Sequence, residues 1–350
     1  MQQNLSVESL TKLQYRLLTN IAKDYDLIVG KRLDQIKDEM LTNGTIPRKC
    51  RFCGQSEPSV HFNKRAHAIS ELCGNHHLLS DYECDICNAK FSKYERQFSQ
   101  FMLFYHSVLG VDGKKGIPTF QPDRNGNSNI KNENGKPSIN VQVNEKPIAK
   151  LDAKNNSIMV SGSRTYVPID VYRALLKMAL TMMPESEMQY LSDALSFIMD
   201  ENFTLATAKS VHMRIYTGGF NVVRPASIQI YKRKAASSSP VPAYIFTLAY
   251  SNFAFQMYLP GCSLDNKLKG LFKIDVPIVP TIVDGVFPSN GSFVDLKSTQ
   301  KVTKEPLSLT FTFERLEAQW LVPWYMRLRY YCEKMWYDAK RKIKKWIKGH

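Results

Sequence analysis

The chain contains no run of eighteen or more apolar residues, the length a membrane-crossing helix requires. Its opening stretch, MQQNLSVESLTKLQY, lacks a basic start followed by an apolar segment, so no secretory leader is expected. No internal repeat is present, which excludes solenoids and propellers. Acidic residues are scarce beside basic ones: 32 Asp and Glu against 47 Lys and Arg leave a formal charge of +15. That excess calls for an anionic partner, either nucleic acid or a membrane surface. A hydrophobic share of 43% with 11% aromatics excludes general disorder, and 350 residues suffice for two or three domains. The expected location is cytoplasmic. Thiols stay reduced there, and clustered cysteines act as metal ligands more often than as disulfides.

The expected fold class is α+β. Residues 1–45 form an N-terminal helical segment. Within it, Val7, Leu10, Leu13, Leu17, Ile21, Leu33, Ile36 and Met40 recur every three or four residues across 6–42, with Gly30 as a break. Residues 46–105 form a Cys/His module, and 106–165 a Gly/Asn/Lys-rich linker with hairpins. The DGKKG in that linker is not a phosphate loop, because the Gly-Lys-Ser/Thr ending is missing. Residues 166–350 form a mixed, strand-rich domain. Pro168 opens a helical stretch that Pro184 divides, and its Met-rich stripe reads as core. HMRIY, SIQIYKR, AYIFTLAY, FAFQMYL, KIDVPIVPTIV and LSLTFTF read as strands. The last residues, WYMRLRYYCEKMWYDAKRKIKKWIKGH, form a basic helix. Its Lys340, Arg341, Lys344 and Lys345 suit phosphate contact, while packing against the strands or a membrane surface are the competing uses.

Five of the seven cysteines lie between Cys50 and Phe91. Cys50-x2-Cys53 and, thirty residues on, Cys84-x2-Cys87 each present two thiolates, and four thiolates suit a tetrahedral structural zinc. Such an ion has no open position and performs no chemistry. Cys73 stands outside both pairs and reads as a buried thiol. His61, His76 and His77 read as loop residues near the module, His106 and His212 as structural.

Between the pairs the chain reads AHAISELCGN (Ala66–Asn75), and the second pair sits in ECDICNAKF (Glu83–Phe91). A His before a short apolar step, a Gly-Asn turn, and Asn directly after the last Cys resemble the HNH endonuclease superfamily. The similar branch is the one whose ββα-metal motif is braced by a four-cysteine zinc. The resemblance implies DNA phosphodiester hydrolysis assisted by Mg²⁺ or Mn²⁺. It makes His67 the general base, Asn88 the final metal ligand, and Asn75 the residue that holds the loop in shape. The chemistry agrees, since a neutral imidazole can take a water's proton near neutral pH. Many family members carry Asp, Glu or His just before the base, where this chain has Ala66. Glu71, His76 or His77 can replace that ligand, or substrate phosphates and water can hold the ion. The flanking YVPIDVYRALLKMAL is similar to segments that follow the motif in uncharacterised bacterial members. Bacterial HNH proteins with a second domain of this kind often resemble phage-defence or mobile-element nucleases, which implies an activating ligand or protein for the C-terminal domain. Cutting both strands with one motif per chain favours a homodimer. A non-catalytic, zinc-stapled nucleic-acid-binding protein is the alternative, and a membrane-surface adaptor the third.

Overall fold

The computed structural model describes residues 10–113, 115–123, 125–133, 136–142, 145–205, 207, 209–268 and 276–312. Helix α1 (Lys12–Asp24) begins at Thr11. The Thr11 hydroxyl accepts the Gln14 N–H at 3.2 Å, and the Gln14 side chain accepts the Thr11 N–H at 2.9 Å. This reciprocal cap satisfies two amides that a helix start leaves unpaired. The expected helix across 6–42 stops there: Tyr25–Arg32 is strand β1. Leu27, Ile28 and Val29 are consecutive apolar residues, two of them β-branched, which suits a pleated strand better than one helix face. Strand β1 finds its partner far away, from Tyr25 opposite Arg233 to Arg32 opposite Ser227. The spacing of Leu33, Ile36 and Met40 falls in a 3-10 turn (Leu33–Gln35) and the short strand β2 (Glu39–Leu41).

Strands β3 (Ala66–His67) and β4 (Leu78–Ser80) run antiparallel, with Ala66 opposite Ser80 and His67 opposite Leu79. Strand β2 lies parallel along the other edge of β4. Helix α2 (Asp85–Leu109) follows at once and buries twelve side chains, among them Phe91, Tyr94, Phe98, Phe101 and Phe104. It stops at Gly110 (φ 69°), where a Cβ would come within 2.7 Å of the Asn132 side chain. The linker region carries the hairpin β5 (Asn129–Glu133) and β6 (Lys136–Asn140), then β7 (Ala149–Asp152) and β8 (Ser157–Tyr166).

Pro168 opens helix α3 (Pro168–Met182), all fifteen residues of which are buried. Met178, Met182 and Met183 pack into the core as expected. Its three charged residues are paired inside: Arg173 with Asp170 at 3.5 Å and Lys177 with Glu83 at 3.0 Å. Beyond Pro184 come a 3-10 stretch (Glu185–Tyr190) and helix α4 (Ser192–Met199).

Strands β9 (Ser210–Tyr216), β10 (Val223–Arg233), β11 (Tyr244–Ser251), β12 (Phe253–Tyr258) and β13 (Ser289–Asp295) complete a six-stranded sheet with β1. Its order is β1-β10-β11-β12-β9-β13, antiparallel throughout. Helix α2 covers one face, with Phe98 on Phe255 (ring centroids 5.6 Å) and Tyr105 on Phe253 (5.7 Å). Ile21, Tyr25, Tyr231 and Ile245 cluster on the opposite face, which is why β11 is buried along its whole length. The strand expected at KIDVPIVPTIV does not form over residues 276–283. Pro277 and Pro280 lack the N–H groups that a ladder needs. Strand β14 (Val302–Thr312) joins β8 and β7 in a three-stranded sheet.

The architecture is thus mixed α+β, as composition and patterning anticipated. Among the described residues, 10–149 with 160–309 form one compact unit, and 150–159 with 310–312 belong to a second. Among the described residues no helix is long and apolar enough to cross a membrane. The basic C-terminal helix, with Lys340, Arg341, Lys344 and Lys345, lies outside the described residues.

Candidate functional site

Two short structures bring the four cysteines together. A tight turn carries the first pair: Lys49 and Ser56 bridge, the Cys50 N–H reaches the Gln55 carbonyl at 2.8 Å, and Gly54 turns back at φ 71°. The start of α2 carries the second pair, with Cys84 at the N-cap and Cys87 in the first turn. All four Sγ atoms lie within 4.8 Å of one another. Cys53 and Cys84 are 3.8 Å apart, and a tetrahedron with ~2.3 Å metal–sulfur bonds has edges of about 3.8 Å. The Cys50 thiol is drawn down to about 5 by the Cys87 thiol and by neighbouring backbone N–H groups, while that same contact pushes the Cys87 thiol up and burial pushes Cys84 up to about 11. The quartet thus holds one favoured thiolate and thiols whose protons a bound cation would displace. This quartet can hold a zinc ion. Cys73 is buried apart from it, and burial pushes its thiol up.

His67, the proposed base, leaves β3 into a cleft of about 610 Å³. Glu71 enters the same cleft from the 3-10 turn Glu71–Cys73, its Oε1 3.8 Å from His67 Nε2. Asn88 enters from the first turn of α2. Strand, strand and helix therefore follow in sequence, and three of the site residues marked by sequence line a single cavity.

Asn75 is elsewhere, and its role differs accordingly. It is 1% exposed and spans the β3–β4 connection with three hydrogen bonds. Its Nδ2 donates to the Ile69 carbonyl at 2.7 Å and the Leu78 carbonyl at 2.9 Å, while its Oδ1 accepts the Leu78 N–H at 2.9 Å. Gly74 makes the turn possible at φ 83°. Ala66 points into the core at 1% exposure, so the residue before His67 contributes nothing to the cleft. His76 and His77 are exposed and do not line it, and His77 Nδ1 meets Asp38 at 3.1 Å. Of the three replacement ligands considered, only Glu71 reaches the cavity.

The sequence reading missed the remaining lining. Lys64, Arg65, Arg96 and Lys115 bring four cations to the cavity wall against Glu71 and Glu95. Ser92, Glu95, Arg96 and Ser99 follow Asn88 along α2 at intervals of four, seven, eight and eleven residues. That spacing is one helix face, so the signal was present, but nothing local distinguishes it from an ordinary solvated face. His106 and His212 are core residues: His106 Nε2 meets the Tyr250 hydroxyl at 3.0 Å, and His212 packs on Phe293.

No family model matches this chain. Neither a curated protein nor a solved structure matches it.

Proposed function

We propose that the chain is a metal-dependent HNH-type endonuclease that hydrolyses DNA phosphodiester bonds, with His67 as general base. One observation carries the reading: His67, Glu71 and Asn88 converge on one cleft whose wall bears Lys64, Arg65, Arg96 and Lys115. The imidazole of His67 accepts a proton from a water as its oxygen attacks phosphorus, and the bond to the leaving sugar oxygen breaks. The four cations bind the backbone on either side without choosing sequence. Glu71 and Asn88 offer two oxygen donors, which suits Mg²⁺ or Mn²⁺ with substrate phosphate and water completing the shell. Such an ion neutralises charge on the phosphate and leaving oxygen. The four-cysteine zinc braces the start of α2 and, through it, Asn88.

A second reading has its own support in Ala66. With no ligand from that position, a zinc-stapled nucleic-acid-binding protein without catalysis fits the same charge and fold. A plasmid-nicking assay with Mg²⁺ or Mn²⁺, against an EDTA control, separates the two. Metal-dependent nicking that His67→Ala lowers by about 10²–10⁴-fold, at unchanged DNA affinity, supports the nuclease. DNA binding with no cleavage under any divalent metal supports the binding protein.

A further inference from the structure

The His67 backbone is held from outside the Cys/His window. Lys177, on α3, reaches it with a fully buried ammonium. Its Nζ donates to the His67 carbonyl at 2.8 Å and lies 3.0 Å from Glu83 Oε2 and 3.9 Å from Glu95 Oε1. An ammonium has three donors, and here each faces a different part of the candidate site. One goes to the strand that carries His67. Another side faces the Glu83 carboxylate as an ion pair at 3.0 Å, next to Cys84 of the quartet. The third faces Glu95 on the cleft wall of α2.

A buried lysine is costly to place, because both it and its partner must leave water. Packing alone does not require it: α3 is otherwise apolar around this turn, with Leu176, Met178 and Leu180 all buried. Strand β3 is only two residues long and pairs with β4 alone, so its ladder offers little resistance to rotation of the His67 backbone. A charged donor on its carbonyl adds a constraint from outside the ladder.

We infer that Lys177 is a positioning residue for His67, fixing the imidazole's approach to the cleft by clamping its carbonyl between β3, Glu83 and Glu95. This rests on the general-base reading, and it makes α3 part of the nuclease machinery although it lies some hundred residues downstream. Lys177 does not touch substrate. Its effect falls on turnover rather than on binding.

The test uses full-length protein. Lys177→Met/Glu83→Gln removes both members of the fully buried pair, and Glu95, whose side chain is 32% exposed, keeps water for its charge, so the core can stay folded. Leu175→Ala, elsewhere on α3 and 1% exposed, is the control for damage to the helix alone. Zinc content, thermal stability, cleavage kinetics on a DNA duplex with Mn²⁺, and the NMR signal of the His67 ring are measured, the signal being assigned by its loss in His67→Ala. The double variant should keep one zinc per chain and a KM within about twofold, yet lose about 10- to 100-fold in kcat, the scale of a misplacement near 1 Å. Its His67 signal should shift. Leu175→Ala should melt earlier with an unchanged His67 signal and kcat. A double variant with wild-type kcat and ring signal overturns the inference. One that no longer folds also overturns it, since the lysine then serves the core. If His67→Ala cuts as fast as wild type, the general-base reading fails, and the ring signal alone still decides whether Lys177 sets the imidazole.

Discussion

Asn75→Ala tests most directly how the β3–β4 connection is held. Removing the carboxamide takes the partner from the Ile69 carbonyl and the Leu78 N–H. The Leu78 carbonyl keeps its bond from the Ala68 N–H at 3.0 Å. Two buried backbone groups are therefore stranded, at about 1–3 kcal/mol each, giving a loss of about 2–6 kcal/mol. For a unit of this size 1 kcal/mol moves the midpoint by roughly 2 °C, so Tm should fall by about 4–12 °C. Hydrogen exchange should localise the damage. The Leu78 amide should lose protection well before α2 or the six-stranded sheet does. Asn75→Asp keeps an acceptor for the Leu78 N–H but sets a carboxylate against the Ile69 carbonyl. Burial and that carbonyl favour the protonated acid, which still donates, so the variant's deficit should shrink as pH falls toward the carboxyl range. A Tm for Asn75→Ala within about 2 °C of wild type, with Leu78 still protected, would refute the brace.

Four further outcomes are expected. Metal analysis should find one zinc per chain, and Cys50→Ser or Cys87→Ser should abolish it and unfold the β3–β4 region, because binding energy at such a site is folding energy; a folded, zinc-free wild type contradicts this. Single Ala substitutions of Lys64, Arg65, Arg96 or Lys115 should each flatten the log–log salt dependence of DNA binding by about one; an unchanged slope removes that residue from the interface. Deleting residues 338–350, which hold six Lys and Arg, should flatten the slope further if the tail meets phosphate; an unchanged slope with liposome binding assigns the tail to membrane instead. Burial pushes His106 from 6.5 down to about 3, so between those values the unfolded chain binds the proton that the folded one refuses. Stability should therefore fall as pH drops through that window, at up to about 1.4 kcal/mol per pH unit from this residue, and denaturant titrations of His106→Leu should show a shallower acid slope than wild type.

Much of the site could be read along the chain because its signals are local. Two Cys-x2-Cys pairs are close in sequence, and a turn and a helix start suffice to present each one. The Gly74-Asn75 turn is likewise short-range. Apolar and alternating runs marked five of the six expected later strands, because burial on both faces or on one imposes those patterns wherever the partner lies. Other features depended on distance. Tyr25–Arg32 became a strand because β10, two hundred residues on, offered an edge, and helical spacing at Leu33, Ile36 and Met40 could not report that. His76 and His77 had the right chemistry for a cleft ligand, but the turn at Gly74 sends them outward and leaves Glu71 facing His67. The clamp from Lys177 to the His67 carbonyl joins residues 110 apart. A charged residue on an otherwise apolar helix shows its purpose only when the fold supplies the carbonyl and carboxylates that meet it. The sequence itself determined the two Cys-x2-Cys pairs and the Gly74-Asn75 turn, since each arises within a turn or so of chain. Tertiary packing alone decided which polar side chains share the cleft, because convergence of strand, turn, helix and loop is a property of how distant segments bury one another.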